Sequence, residues 1–283
     1  MENLAKRHDQ AFNLFVTSRK QASANTAAQK LRETISNTGT TITALELDLA
    51  NKAQIDTLIA DLVAKGIKFD VLVNNAALCT FEEAKKSNEG FFREWNVNYV
   101  HTRYLTEQFI QKEILNNSGK VINTSSGIGN AYYIKEINPE FFKIIVSGRD
   151  LNINLEQVTE YANVCQEDYQ SEEKKKNWHP WVYASTKLFL NLFTIALSKD
   201  PKVVEKGIQV YGLCPGFCKT NMTTARFGDA PPKTSDEGAQ TSLYLIDLPF
   251  EIDQDLQGGF FEDAKKSSYN YEVGSGPEII TDD

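Results

Sequence analysis

Short runs of β-branched and aromatic residues alternate along this chain with longer stretches whose apolar side chains recur at i, i+3 and i+4. A period of two sends successive side chains to opposite faces of a strand, and a period near 3.6 lines them along one side of a helix. The runs 12–17 (FNLFVT), 41–47 (TITALEL), 70–73 (DVLV), 120–124 (KVINT), 209–214 (QVYGLC) and the shorter 259–261 read as strands. Segments 22–38, 52–65, 89–115, 184–199 and 235–247 read as helices. This alternation builds βαβ units, so the expected fold is α/β, a doubly wound parallel sheet of the Rossmann type. A single domain over residues 1–270 is expected, with a polar tail at 271–283. In open sheets of this kind ligands sit outside the carboxyl ends of the strands, so the informative residues follow strands.

One segment breaks the rhythm. Residues 131–180 lie between a strand and the next helix, far longer than such connections require, with a weak helical pattern of their own. They read as an insertion that covers a site, and the charge run EDYQSEEKKKN within them as a solvated face. The remaining composition excludes several functions. A formal charge of -8 and a pI near 5.1 repel phosphate backbones and anionic lipid, which argues against nucleic-acid and membrane partners. The longest apolar run, 188–197, contains Asn191 and Thr194 and is too short to span a bilayer. Four cysteines without a C-x-x-C pair and three scattered histidines offer neither a disulfide framework nor a metal site. The opening MENLAKRHDQ has no apolar core of a signal peptide, so a soluble protein of the reducing cytoplasm is expected.

The chemistry is carried by strand ends and one helix. Tyr183 and Lys187, in YASTK, stand four apart at a helix start and project from one face. An ammonium close to a phenol favours the phenolate, so Lys187 is expected to bring Tyr183 towards the working pH as a proton donor or acceptor. Strand 120–124 runs into Ser125 and Ser126, strand 70–73 into Asn74-Asn75-Ala76-Ala77, and strand 209–214 into Pro215-Gly216, with Thr220 beyond. Asn98 is a polar residue on an otherwise apolar helix. Phe81, Trp178, Trp181 and Phe217 are candidate walls of an apolar pocket.

In this order, Asp48-Leu49, Asn74 to Ala77, Asn98, the strand-end serine, Tyr183-x-x-x-Lys187 and Pro215-Gly216, the chain resembles the short-chain dehydrogenase/reductase family over about residues 12–261. The long gap between Ser126 and Tyr183, with CPGFCKTNM and DEGAQTSLYL, is most similar to its monomeric carbonyl reductase branch, which includes salutaridine-reductase-like enzymes. The resemblance implies an NADPH-dependent reductase of ketones or aldehydes, acting as a monomer on a small molecule. Tyr183 would protonate the carbonyl oxygen, and Lys187 would tune Tyr183 and hold the nicotinamide ribose. Ser126, with Ser125 as the alternative, would orient the substrate oxygen, and Asn98 would anchor a water relay to Lys187. Asn74 would contact the cofactor, Asp48 the adenine, and Pro215, Gly216, Cys218 and Thr220 the nicotinamide amide and phosphates. Arg19, just past the strand 12–17, would accommodate a 2'-phosphate and select NADPH over NADH.

The sequence departs from the family pattern at three places. Ala77 stands where the pattern has glycine, a strained replacement only if its φ is positive. His101 also replaces a glycine, after Asn98. More consequential, no strand and glycine-rich turn precede 12–17, and Gly127-Ile128-Gly129 comes too late to serve as a pyrophosphate loop. The absence is expected to leave the strands 12–17 and 70–73 without a shared partner and to weaken both folding and cofactor binding. A rival reading follows, a non-catalytic family member that keeps the fold as a binding or scaffold module.

Overall fold

The period-2 runs become strands and the period-3.6 stretches helices in the structure, a computed structural model that describes residues 1–80, 87–147 and 150–270. Contacts divide the chain into two compact units, Met1–Ile67 and Lys68–Asp283. Phe81 and the tail 271–283 lie outside the described residues.

The first unit holds α1 (Glu2–Ala5), β1 (Asn13–Ser18), α2 (Gln21–Arg32), β2 (Thr41–Glu46) and α3 (Lys52–Ala64). Its two strands pair in parallel, Asn13 opposite Thr41 through Ser18 opposite Glu46. α2 ends at Arg32, short of the expected 38, because the side chains of the following Thr34 and Asn37 take up local backbone groups instead of extending the helix. α3 starts where Asn51 accepts from the N–H groups of Ala53 and Gln54.

The second unit is built on a five-stranded sheet. β3 (Phe69–Asn74) is followed by α4 (Asn88–Trp95), a π-helical turn (Asn96–Val100), α5 (His101–Gln111) and β4 (Leu115–Thr124). The insertion holds α6 (Ile134–Ile137), α7 (Pro139–Ile145), a two-residue hairpin of β5 (Val146–Ser147) and β6 (Asp150–Leu151), and α8 (Leu155–Asp168). Then come α9 (Val182–Ser198), α10 (Pro201–Glu205), β7 (Gln209–Cys214), α11 (Asn221–Phe227), α12 (Ser235–Asp247), β8 (Phe260–Glu262) and β9 (Lys265–Ser267). The strand order is β3-β4-β7-β8-β9, parallel except for the final β8/β9 hairpin. β1 pairs only with β2, and β3 lies at one edge of the five-stranded sheet, among the described residues.

Alternation along the strands assigns the two faces. Ile122, Tyr211, Leu213 and Phe261 pack on Leu245 of α12. On the other face Asn123 donates to Thr194 of α9 at 2.9 Å, and Gly212 lies against Thr194 and Tyr269. α9 is enclosed on all sides: every one of its residues except Tyr183 is buried. The insertion supplies much of that enclosure, with Phe141 and Trp178 packed on Phe189. Trp178 is 2% exposed and donates to Asp168 at 2.9 Å, so it is a core residue and not the pocket wall the sequence suggested. The charge run is a solvated face, as expected, with an exposed Glu172/Lys175 ion pair.

Candidate active site

Parallel pairing brings the carboxyl ends of β3, β4 and β7 together, and α9 starts beside them. Ser125, at the end of β4, is 2% exposed and donates to the carbonyl of Lys187 at 3.2 Å, so its hydroxyl is consumed in docking α9. The next residue, Ser126, is half-buried and caps the 3-10 turn Gly127–Gly129, accepting from the Ile128 N–H at 3.4 Å. This separation favours the second serine as the one that faces outward. Gly129 is required by close approach, since a Cβ there would lie 2.5 Å from the Lys187 carbonyl carbon and 2.8 Å from the Leu188 nitrogen. Asn191 closes the contact by donating to the Gly129 carbonyl at 3.0 Å.

Tyr183 is the one residue of α9 that opens outward, and Lys187 lies a turn further in, 2% exposed. The Lys187 Nζ donates to the Thr124 carbonyl at 2.8 Å and stands 5.4 Å from the centre of the Tyr183 ring. Among the described residues, only one of its three donors meets a protein acceptor. Lys187 does not lower Tyr183 as its spacing suggested. Burial drives the phenol well above its ordinary value, and the neighbouring Cys79, Cys214 and Glu94 act in the same direction. Burial also brings Lys187 down to about 8. Both effects favour the neutral forms, because low polarity around the pair penalises charge more than their separation rewards it. The Tyr183 phenol is held in its neutral form.

At the end of β7 the Cys214 thiol accepts from the N–H groups of Gly127 and Gly216, both at 3.3 Å, which seats the Pro215-Gly216 turn beside Ser126. Gly216 has φ +79°, and Lys233 crosses it to pair with Asp263. Two residues expected at the cofactor, Asn74 and Cys218, and the expected relay residue Asn98 use their side chains elsewhere. The Asn74 amide donates to Thr106 and Asn123, both at 2.8 Å. The buried Cys218 thiol bonds the Pro215 carbonyl at 3.1 Å. Asn98, buried in the π-helical turn, accepts from Leu78 N–H and donates to the Leu78 carbonyl, both at 2.7 Å, and to Thr186 at 3.1 Å. π-Turns concentrate at functional sites, and this one turns Asn98 towards the segment leaving β3. Ala77 is not among the residues with positive φ, so its replacement of glycine is unstrained. Thr220 caps α11 with an exposed hydroxyl.

In the first unit, Arg19 is exposed directly after β1, and Asp48 accepts from the Ala50 N–H at 2.9 Å in the turn leading to α3. Sequence reasoning passed over Glu94, a carboxylate 1% exposed whose charge acts on both Tyr183 and Lys187. The signal was present: 91, 94 and 98 share one helix face, and a glutamate between Phe91 and Asn98 has no solvent to reach.

A mostly parallel Rossmann-like sheet carries the tyrosine-lysine helix beside its strand ends, and the chain is similar to the short-chain dehydrogenases. The family model for short chain dehydrogenase matches residues 3–138. Over more of its length the chain is similar to (+)-neomenthol dehydrogenase of Arabidopsis thaliana, 26% identical over 92% of this chain and 90% of that protein. It is also 26% identical to carbonyl reductase [NADPH] 1 of Macaca fascicularis, over 74% of this chain and 73% of that one. Among solved structures, salutaridine reductase from Papaver somniferum superposes with a TM-score of 0.68 at 23% identity, covering 87% of this chain and 90% of that one.

Proposed function

We propose that this protein reduces the carbonyl group of a small ketone or aldehyde with NADPH, acting as a monomer in the cytoplasm. The observation that carries the reading is Tyr183, the single outward residue of a buried helix, with a neutral phenol and an under-used Lys187 donor set behind it. The residues present suit the nicotinamide end of the cofactor: Lys187 has two donors to spare for ribose hydroxyls, and the buried Thr124 hydroxyl has no partner among the described residues. They do not include a pyrophosphate cradle, since no glycine precedes Gly39.

NADPH, when bound, supplies the hydride. Tyr183 Oη gives the proton to the carbonyl oxygen, and the Ser126 hydroxyl holds that oxygen in line. Lys187 would hold the ribose, the Pro215 and Gly216 backbone and Thr220 would receive the amide and phosphate groups, Asp48 the adenine, and Arg19 the 2'-phosphate. Asn98, Asn74 and Cys218 serve by fixing the segments that carry these groups.

Tyr183→Phe keeps the ring and removes the hydroxyl. It is expected to abolish NADPH-dependent reduction of a ketone panel while leaving NADPH affinity within a few fold, read by fluorescence titration. Reduction at the wild-type rate would overturn the assignment. Failure of the wild-type chain to bind either nicotinamide dinucleotide would favour the second reading, a binding module without turnover.

A further inference from the structure

Glu94 sits at the end of α4 with its side chain sealed from solvent. A carboxylate there is unfavourable unless it is hydrogen-bonded and balanced by opposite charge. The hydrogen bonds come from the segment that leaves β3: Thr80 donates to Glu94 Oε2 through its N–H at 2.7 Å and its hydroxyl at 2.5 Å. Two residues earlier, Leu78 is held at both backbone polar groups by Asn98. Asn98 continues to Thr186, whose hydroxyl donates to the Tyr183 carbonyl at 2.7 Å and which adjoins Lys187. The network therefore begins at residues 78 and 80 and ends on α9 between the two proton-handling residues.

We propose that, on the carbonyl-reductase reading above, Glu94 is a positioning residue for the Tyr183/Lys187 pair: it ties the segment after β3 to α4 and provides the fixed negative charge that balances the Lys187 ammonium. Burial pushes the Glu94 carboxyl up while Lys187 draws it down, and Glu94 in turn favours the charged form of Lys187. The other titratable groups acting on the pair are Cys79, between the two tied residues, and Cys214 at the end of β7. Tyr169, after α8, also feels Glu94.

Glu94→Gln retains an acceptor for Thr80 and removes the charge. The alkaline limb of the kcat/KM profile is expected to move to lower pH by about one unit. A purely structural role would leave that limb in place. Glu94→Asp keeps the charge but withdraws the carboxylate from Thr80, so the limb should stay where it is and KM should rise. Thermal unfolding against pH, without substrate, reads the same titration independently of turnover: in the Gln variant the stabilisation that accompanies loss of the Lys187 proton should begin at lower pH. An unmoved limb together with an unmoved unfolding profile overturns the proposal. If the Gln variant does not fold, a shifted limb in the Asp variant overturns it instead. If the wild type reduces no ketone, the functional reading falls and the unfolding profile alone decides the role of Glu94.

Discussion

Two side chains of one kind, adjacent in sequence, have different fates at the end of β4: Ser125 bonds the backbone of α9, and the half-buried Ser126 caps the 3-10 turn that follows. No pattern of residue types separates them, which is why the sequence left both in play; the docking of α9 engages only the first. Arg19 was legible for a different reason, since its position depends only on where β1 stops, and it is exposed there. A charge-assisted contact to phosphate contributes on the order of 1.5 to 3 kcal/mol, so Arg19→Ala should weaken NADPH by roughly tenfold or more and leave NADH almost unchanged. Calorimetric titration with both cofactors checks this, and equal losses would rule out a selective role. The protonation of Tyr183 was misread because spacing reports only the neighbour, whereas burial, which comes from the whole fold, dominates the shift.

At the scale of elements, β7 and α12 match their sequence reading at both ends: β7 is a short run buried on both faces, and a Thr234/Glu237 capping box opens α12. β4 begins five residues earlier than expected: Asn116, Asn117, Ser118 and Gly119 carry no strand propensity, and a register shift against β3 between Phe69 and Val71 absorbs them. The expected long helix 89–115 is interrupted by a π-helical turn that hydropathy cannot show. The 3-10 turn after β4 invites the sharpest test. Gly129→Ala would press a methyl group into the backbone of α9, which cannot retreat without moving Lys187. Overpacking of this kind costs about 1–3 kcal/mol, so the thermal midpoint should drop by roughly 2 °C or more, with activity lost in parallel. An unchanged midpoint by calorimetry would mean that the turn and helix are less closely docked than these distances require.

For the whole molecule, buried ionisable groups set a pH profile. Burial lowers Lys187 and Lys120 from 10.5 to about 8. Between those values the folded state has released protons that the unfolded chain still binds, so stability rises with pH. Burial moves the Cys214 thiol the other way, from 9.0 to about 12, so above 9 the unfolded chain loses that proton first and this group's contribution to stability falls. The thermal midpoint should therefore climb from about pH 8, climb less steeply above 9 and decline only above about 10.5, where the unfolded lysines have also released their protons, and Lys120→Met should flatten the climb. A level midpoint across that window, by differential scanning calorimetry, contradicts these assignments. α9 has a consequence on a longer timescale. With every position but Tyr183 enclosed, that helix leaves almost no room for sequence drift. Variation that retunes what the protein accepts must accumulate in the insertion and in the segment bearing the exposed Phe217 and Phe227, so libraries randomised there should yield altered specificities while libraries in α9 yield mostly unfolded chains.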